Sequence, residues 1–221
     1  MVETALSLIN KMGPIIYTTF GWVLGFLGTL LLGWINQKKR TKNFKESLSL
    51  EFKEVIPQLA RTHYLLKEAL GGLDRDLLNW AQSMFSKFPK GGEKTLKAIE
   101  RLLKRTDEEL KVLASQTKVS KKETLSIKKI ILPFLQQNFS FVSLLTPDLQ
   151  RSVAAIQRNI NSLNEEIDLY YFYFKKTFDS TLTDKNYELV NKNIDHAYQS
   201  IADLSYKTAE RISKTLPDLS K

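Results

Sequence analysis

The polar and apolar positions of this chain change period near residue 40. Residues 14–37, PIIYTTFGWVLGFLGTLLLGWINQ, carry no ionisable side chain. As a helix, Ile15 to Ile35 measures about 32 Å, matching the ~30 Å hydrocarbon core of a bilayer. Pro14 suits the first turn of such a helix, where its missing N–H is not needed. Tyr17 and Trp34 fall near opposite ends, as interfacial aromatics do. A cleaved signal peptide fits poorly. The apolar run is too long, the flank before it is not basic, and no small-x-small cleavage site follows. The pattern predicts one transmembrane helix over 14–37 and a short extracytoplasmic N-terminus over 1–13.

Beyond the span the apolar positions recur every three or four residues, the period of an amphipathic helix. A first helix is expected over about 41–70, on the stripe Phe44, Leu48, Phe52, Val55, Leu59, Leu66 and Leu70, with a kink or restart at Pro57. GGLD at 71–74 ends it, and Asp74 is placed to N-cap a short helix over 75–88. FPKGG breaks the chain again. A third helix is expected over about 93–115. A more hydrophobic one follows over 120–145, opened by a Ser120/Glu123 capping box and bent at Pro133. Thr146 and Pro147 stand in N-cap and N1 order. After them Leu149, Val153, Ile156, Ile160, Leu163, Ile167, Tyr170 and Phe174 repeat at alternating four and three. Beyond a short loop, Tyr187, Val190, Ile194, Ala197, Ile201, Leu204, Thr208 and Ile212 do the same, and Pro217 closes the stretch. Two such stripes predict a long antiparallel hairpin over 146–216. The expected fold is all-α: one transmembrane helix, then a cytoplasmic helical domain over 41–221.

Charge sets the orientation. The flank 38–45 holds Lys38, Lys39, Arg40, Lys42 and Lys45, against Lys11 alone before the span. The positive-inside rule then puts the C-terminal domain in the cytoplasm of a single-pass protein of the inner or plasma membrane. The absence of cysteine agrees with a reducing compartment and rules out disulfides, thiolate zinc sites and thiol nucleophiles. Within the span, Thr18, Gly21, Gly25 and Gly28 share one helix face. Small residues arranged so let two membrane helices approach closely, so a homo-oligomer is expected.

The net charge of +9 is uneven: residues 87–129 hold thirteen Lys/Arg against six Asp/Glu. Lys94, Lys97, Arg101, Lys104 and Arg105 gather on one side of the third helix. They are the candidate site for an anionic small molecule or anionic inner-leaflet lipid. Acidic neighbours and the lack of interleaved aromatics argue against duplex nucleic acid. No phosphate-binding loop, nucleophile elbow or zinc-helix motif is present, so no catalytic residue, metal or cofactor is assigned. His63, on the first helix's stripe, reads as a core histidine, and His196 as a surface one. Glu165, Glu166 and Asp168 read as a solvated face. LYYFYF at 169–174 reads as buried between helices or in an oligomer contact. The leading expectation is a non-enzymatic, membrane-anchored interaction or scaffold protein with a protein partner. The alternative is a ligand-gated membrane effector that senses an anion such as a nucleotide and perturbs the bilayer.

Overall fold

The long apolar stripes become helices, and the chain carries no strand among the described residues. The computed structural model describes residues 2–90, 92–117 and 125–220, with side chains from residue 19 onward. The helices are α1 (Val2–Ala69), α2 (Arg75–Lys87), α3 (Glu93–Leu102), α4 (Asp107–Thr117), α5 (Pro133–Gln137), α6 (Pro147–Lys176) and α7 (Asp184–Leu219), with a 3₁₀ segment at Phe139–Leu144. The chain divides into two compact units, residues 1–44 and 45–221. In the first, one helix near the N-terminus is long and apolar enough to cross a membrane.

In the second unit most positions of the predicted stripes face inward, while Leu70, Phe174, Tyr187, Val190 and Leu204 are only half-buried. Leu48, Phe52, Val55, Leu59 and Leu66 of α1 are buried, as are Leu149, Val153, Ile156, Ile160, Leu163, Ile167 and Tyr170 of α6. α6 and α7 pack on each other along the most extensive helix pair of the unit. α1 does not restart at Pro57, which is itself buried. Burial of Val55, Ile56, Leu59 and Ala60 around it outweighs the ~3 kcal/mol that an interior proline costs. α7 likewise continues through Pro217 to Leu219.

Chain reversals follow local chemistry. α1 ends in a Schellman turn: Gly72 N–H donates to Lys67 O at 2.8 Å and Gly71 N–H to Glu68 O at 2.9 Å. Gly71 takes φ 77°, the left-handed conformation that favours glycine. Asp74 caps α2 by accepting from Leu77 N–H at 2.8 Å.

Two expected helices are corrected. The third, expected over 93–115, is broken: α3 stops at Leu102 and α4 starts at Asp107. The cause is a capping box. Glu109 N–H donates to Thr106 Oγ1 at 3.2 Å, and Thr106 N–H to Glu109 Oε2 at 2.9 Å. Arg75 closes this elbow, its Nε 2.8 Å from Asp107 Oδ1 and its Nη2 2.8 Å from Arg105 O.

The helix expected over 120–145 is absent over 125–132, which runs without regular secondary structure, and α5 occupies only five residues. The Ser120/Glu123 capping box lies outside the described residues. The stretch 125–132 is held by side chains of α6 in place of a ladder of its own. Ile130 N–H donates to Asn164 Oδ1 at 2.9 Å, and Asn164 Nδ2 donates to Ile130 O at 2.7 Å. Tyr171 Oη donates to Ile127 O at 2.8 Å and Tyr170 Oη to Leu125 O at 3.2 Å. Pro133 reinforces this, since a residue before proline is pushed toward extended backbone, and Leu132 sits at φ −120°, ψ 75°.

Candidate functional site

Among the described side chains of the N-terminal unit, none in the most apolar 18-residue window is buried. Trp22, Leu24, Phe26, Leu31 and Trp34 are all exposed. A Cβ added at Gly21, Gly25 or Gly28 would meet nothing within 4 Å. Among the described residues nothing packs on that glycine face, and the side chain of Thr18 lies outside the described ones. Lys38 Nζ stands 5.3 Å from the Trp34 ring centroid, a cation–π contact at the start of the basic flank of Lys38, Lys39, Arg40 and Lys42.

The basic stripe is divided. Lys94, Lys97 and Arg101 remain on α3 and are exposed, while Lys104 and Arg105 lie beyond its end in the elbow. Arg105 Nη1 is paired with Glu109 Oε1 at 3.2 Å. The five cations therefore do not form one face of one helix.

His63 is buried, as its place on the stripe predicts. Its Nδ1–H donates to Ala202 O on α7 at 2.8 Å, and its ring stands edge-on to Trp80 at 4.8 Å and 5.2 Å from Tyr206. Burial pushes its pKa below the ordinary value of about 6.5, as does nearby Lys67, while the Ala202 carbonyl and Asp203 pull it back. The folded chain thus binds this proton less readily than the unfolded one. Its contribution to stability is complete above about pH 6.5 and is lost as the pH falls from there to the folded-state pKa. Thermal unfolding of the full chain, followed by circular dichroism, should show a fall in midpoint between about pH 7 and pH 5 that is shallower in His63→Phe. Parallel profiles for the two proteins would refute it.

His196 is exposed. Of the three clustered carboxylates, Asp168 accepts from Lys129 Nζ at 2.7 Å. The string 169–174 is only partly buried. Tyr170 is fully enclosed, whereas Leu169 and Phe172 are exposed, and so is Phe178 just beyond.

A feature missed by sequence reasoning is a cavity of about 870 Å³ between the start of α6 and the last turns of α7, with Lys45 of α1 at its edge. α7 presents Lys207, Arg211 and Lys214 to it at positions i, i+4 and i+7, one helix face. That spacing is legible in the sequence but was hidden within a net acidic C-terminal third. Tyr206 lines the cavity as well, and its ring packs 5.0 Å from Trp80. The three carboxylates of the lining are engaged. Glu210 accepts from Trp80 Nε1 at 2.9 Å and lies 3.7 Å from Lys214, Asp148 is paired with Arg151, and Asp218 has its own interaction.

Among known proteins, no family model, no curated protein and no solved structure matches this chain.

Proposed function

We propose that this is a non-enzymatic, single-pass membrane-anchored interaction protein. Residues 14–37 cross the membrane and pair through Thr18, Gly21, Gly25 and Gly28, and the helical domain lies on the cytoplasmic side with a protein partner. The observation that carries this reading is the exposure of the apolar segment from residue 19 onward. Side chains such as Trp22 and Phe26 are more than half exposed among the described residues, and a soluble monomer rarely leaves so large a contiguous apolar surface in water. The open space over Gly21, Gly25 and Gly28 supports close approach of a second copy. The basic flank supports the orientation. The α6–α7 pair, read as an antiparallel hairpin, offers a partner surface at Phe172, Phe178 and Leu189, each more than half exposed.

One experiment addresses both halves. The full chain, expressed in cells, should stay with the membrane pellet through alkaline carbonate extraction. In neutral detergent it should self-associate, and Gly25→Leu should weaken that association by about 1–2 kcal/mol, roughly five- to thirtyfold, without releasing the protein from the pellet. Release of the wild-type chain by carbonate would overturn the anchor. Equal association of wild type and Gly25→Leu would overturn the pairing face.

A further inference from the structure

We infer that the cavity between α6 and α7 is a binding site for a phosphorylated ligand, and that it, and not the α3 stripe, is the anion site of this protein. The first argument is the imbalance of pairing. Among the described residues Lys45, Lys207 and Arg211 form no ion pair, and Lys214 has only the 3.7 Å contact with Glu210. The carboxylates of the same lining are each engaged. The lining holds four cations, Lys45, Lys207, Arg211 and Lys214, against three carboxylates, a net positive balance that favours an anion.

The second argument is the neutral lining. Ser152 and Asn159 are half-buried against the cavity, and their side chains have no hydrogen-bond partner among the described residues. Both residues line the cavity, so their polar atoms are available to a ligand seated in it. A hydroxyl and an amide beside three free cations suit phosphate oxygens, which take several charge-assisted hydrogen bonds at once.

The third argument is size. A volume of about 870 Å³ lies within the range of small-molecule sites and far exceeds a single inorganic ion. Tyr206, 40% exposed on this wall, adds an aromatic ring for the unphosphorylated part of the ligand. The phosphate is carried by a soluble molecule such as a nucleotide or by a lipid headgroup. Lys45 of the lining lies ten residues beyond Ile35 in sequence. The site itself does not rest on the membrane reading.

Trp80 provides the readout, because its indole is bonded to Glu210 and packed on Tyr206, both in the cavity wall. With Trp22→Phe and Trp34→Phe it becomes the sole tryptophan. The full chain, in micelles of an uncharged detergent, is titrated with inorganic tripolyphosphate and separately with mixed micelles carrying phosphatidylinositol 4-phosphate. The expected result is a saturable change in Trp80 emission with at least one probe, weakened at least tenfold by Lys207→Glu with Arg211→Glu. Lys97→Glu with Arg101→Glu should leave it unchanged. Both altered pairs are exposed, so circular dichroism should report an intact fold. Saturation by tripolyphosphate supports a soluble ligand; saturation by the lipid micelles alone supports a headgroup. The proposal is overturned by saturation with neither probe, by binding insensitive to the α7 pair, or by binding lost with the α3 pair.

Discussion

Tyr170→Ala should cost the helical domain about 3–5 kcal/mol, the largest loss expected from any single substitution discussed for this chain. Tyr170 has no exposed surface and is among the largest enclosed side chains. Its ring packs 4.9 Å from Tyr171 and 5.1 Å from Tyr198, and its hydroxyl holds the carbonyl of Leu125 at 3.2 Å. Truncation opens a cavity the surrounding helices cannot fill by small shifts, because interiors are already close-packed. It also frees one anchor of the extended stretch 125–132. Tyr170→Phe keeps the ring and removes only the hydroxyl contacts, so its cost should be near 1 kcal/mol. Chemical unfolding of the full chain in micelles separates the two. If the alanine variant loses no more than the phenylalanine variant, Tyr170 does not hold the core.

What the sequence made legible and what it hid divide along one physical line. Stripes of period 3.6 need no knowledge of the partner surface, so the inward faces of α6 and of α1 from Leu48 to Leu66 were readable. Asp74 at the head of α2 was readable too, because a cap is a contact between residues three apart. The same local logic was present at Thr106 and Glu109, and it would have broken the third helix there and separated Lys104 and Arg105 from the stripe. The stretch 125–132 is different. Backbone groups of Leu125, Ile127 and Ile130 are bonded by Tyr170, Tyr171 and Asn164, at least 34 residues away in sequence, and no local window contains that information. The cavity is hidden for the same reason: its walls come from the start of α6, the end of α7 and Lys45. The glycine face of the N-terminal segment was visible as spacing, because positions three, four and seven apart share a helix face whatever surrounds it.

Glu51→Ala should give the second-largest loss, about 2–3 kcal/mol, through backbone groups left without an acceptor rather than through lost packing. Glu51 lies on α1 and its carboxylate accepts from Phe134 N–H at 2.7 Å and Leu135 N–H at 3.0 Å. These are first-turn donors of α5, whose own N-cap position, Leu132, offers no side-chain bond. A five-residue helix following an irregular stretch has little stability of its own, so this carboxylate from a distant helix fixes it in place. Glu51→Gln retains one acceptor and should lose about half as much. The pH dependence carries a sign. Burial raises the Glu51 pKa and the neighbouring Glu54 charge adds to this, while the two amide bonds pull it down, and burial prevails. A carboxyl whose folded pKa is raised contributes most below its unfolded pKa and loses part of that contribution as the pH rises through the folded value. The deficit of Glu51→Ala should therefore widen as the pH falls from neutrality toward about 4.5, opposite in sense to the removal of a carboxylate with a depressed pKa. Hydrogen exchange gives the local test: the amides of Phe134 and Leu135 should exchange much faster in Glu51→Ala while those of the buried α6 positions, such as Ile160, keep pace with global stability. Unchanged exchange at Phe134 and Leu135 would show that α5 is held by its own contacts and that Glu51 is dispensable.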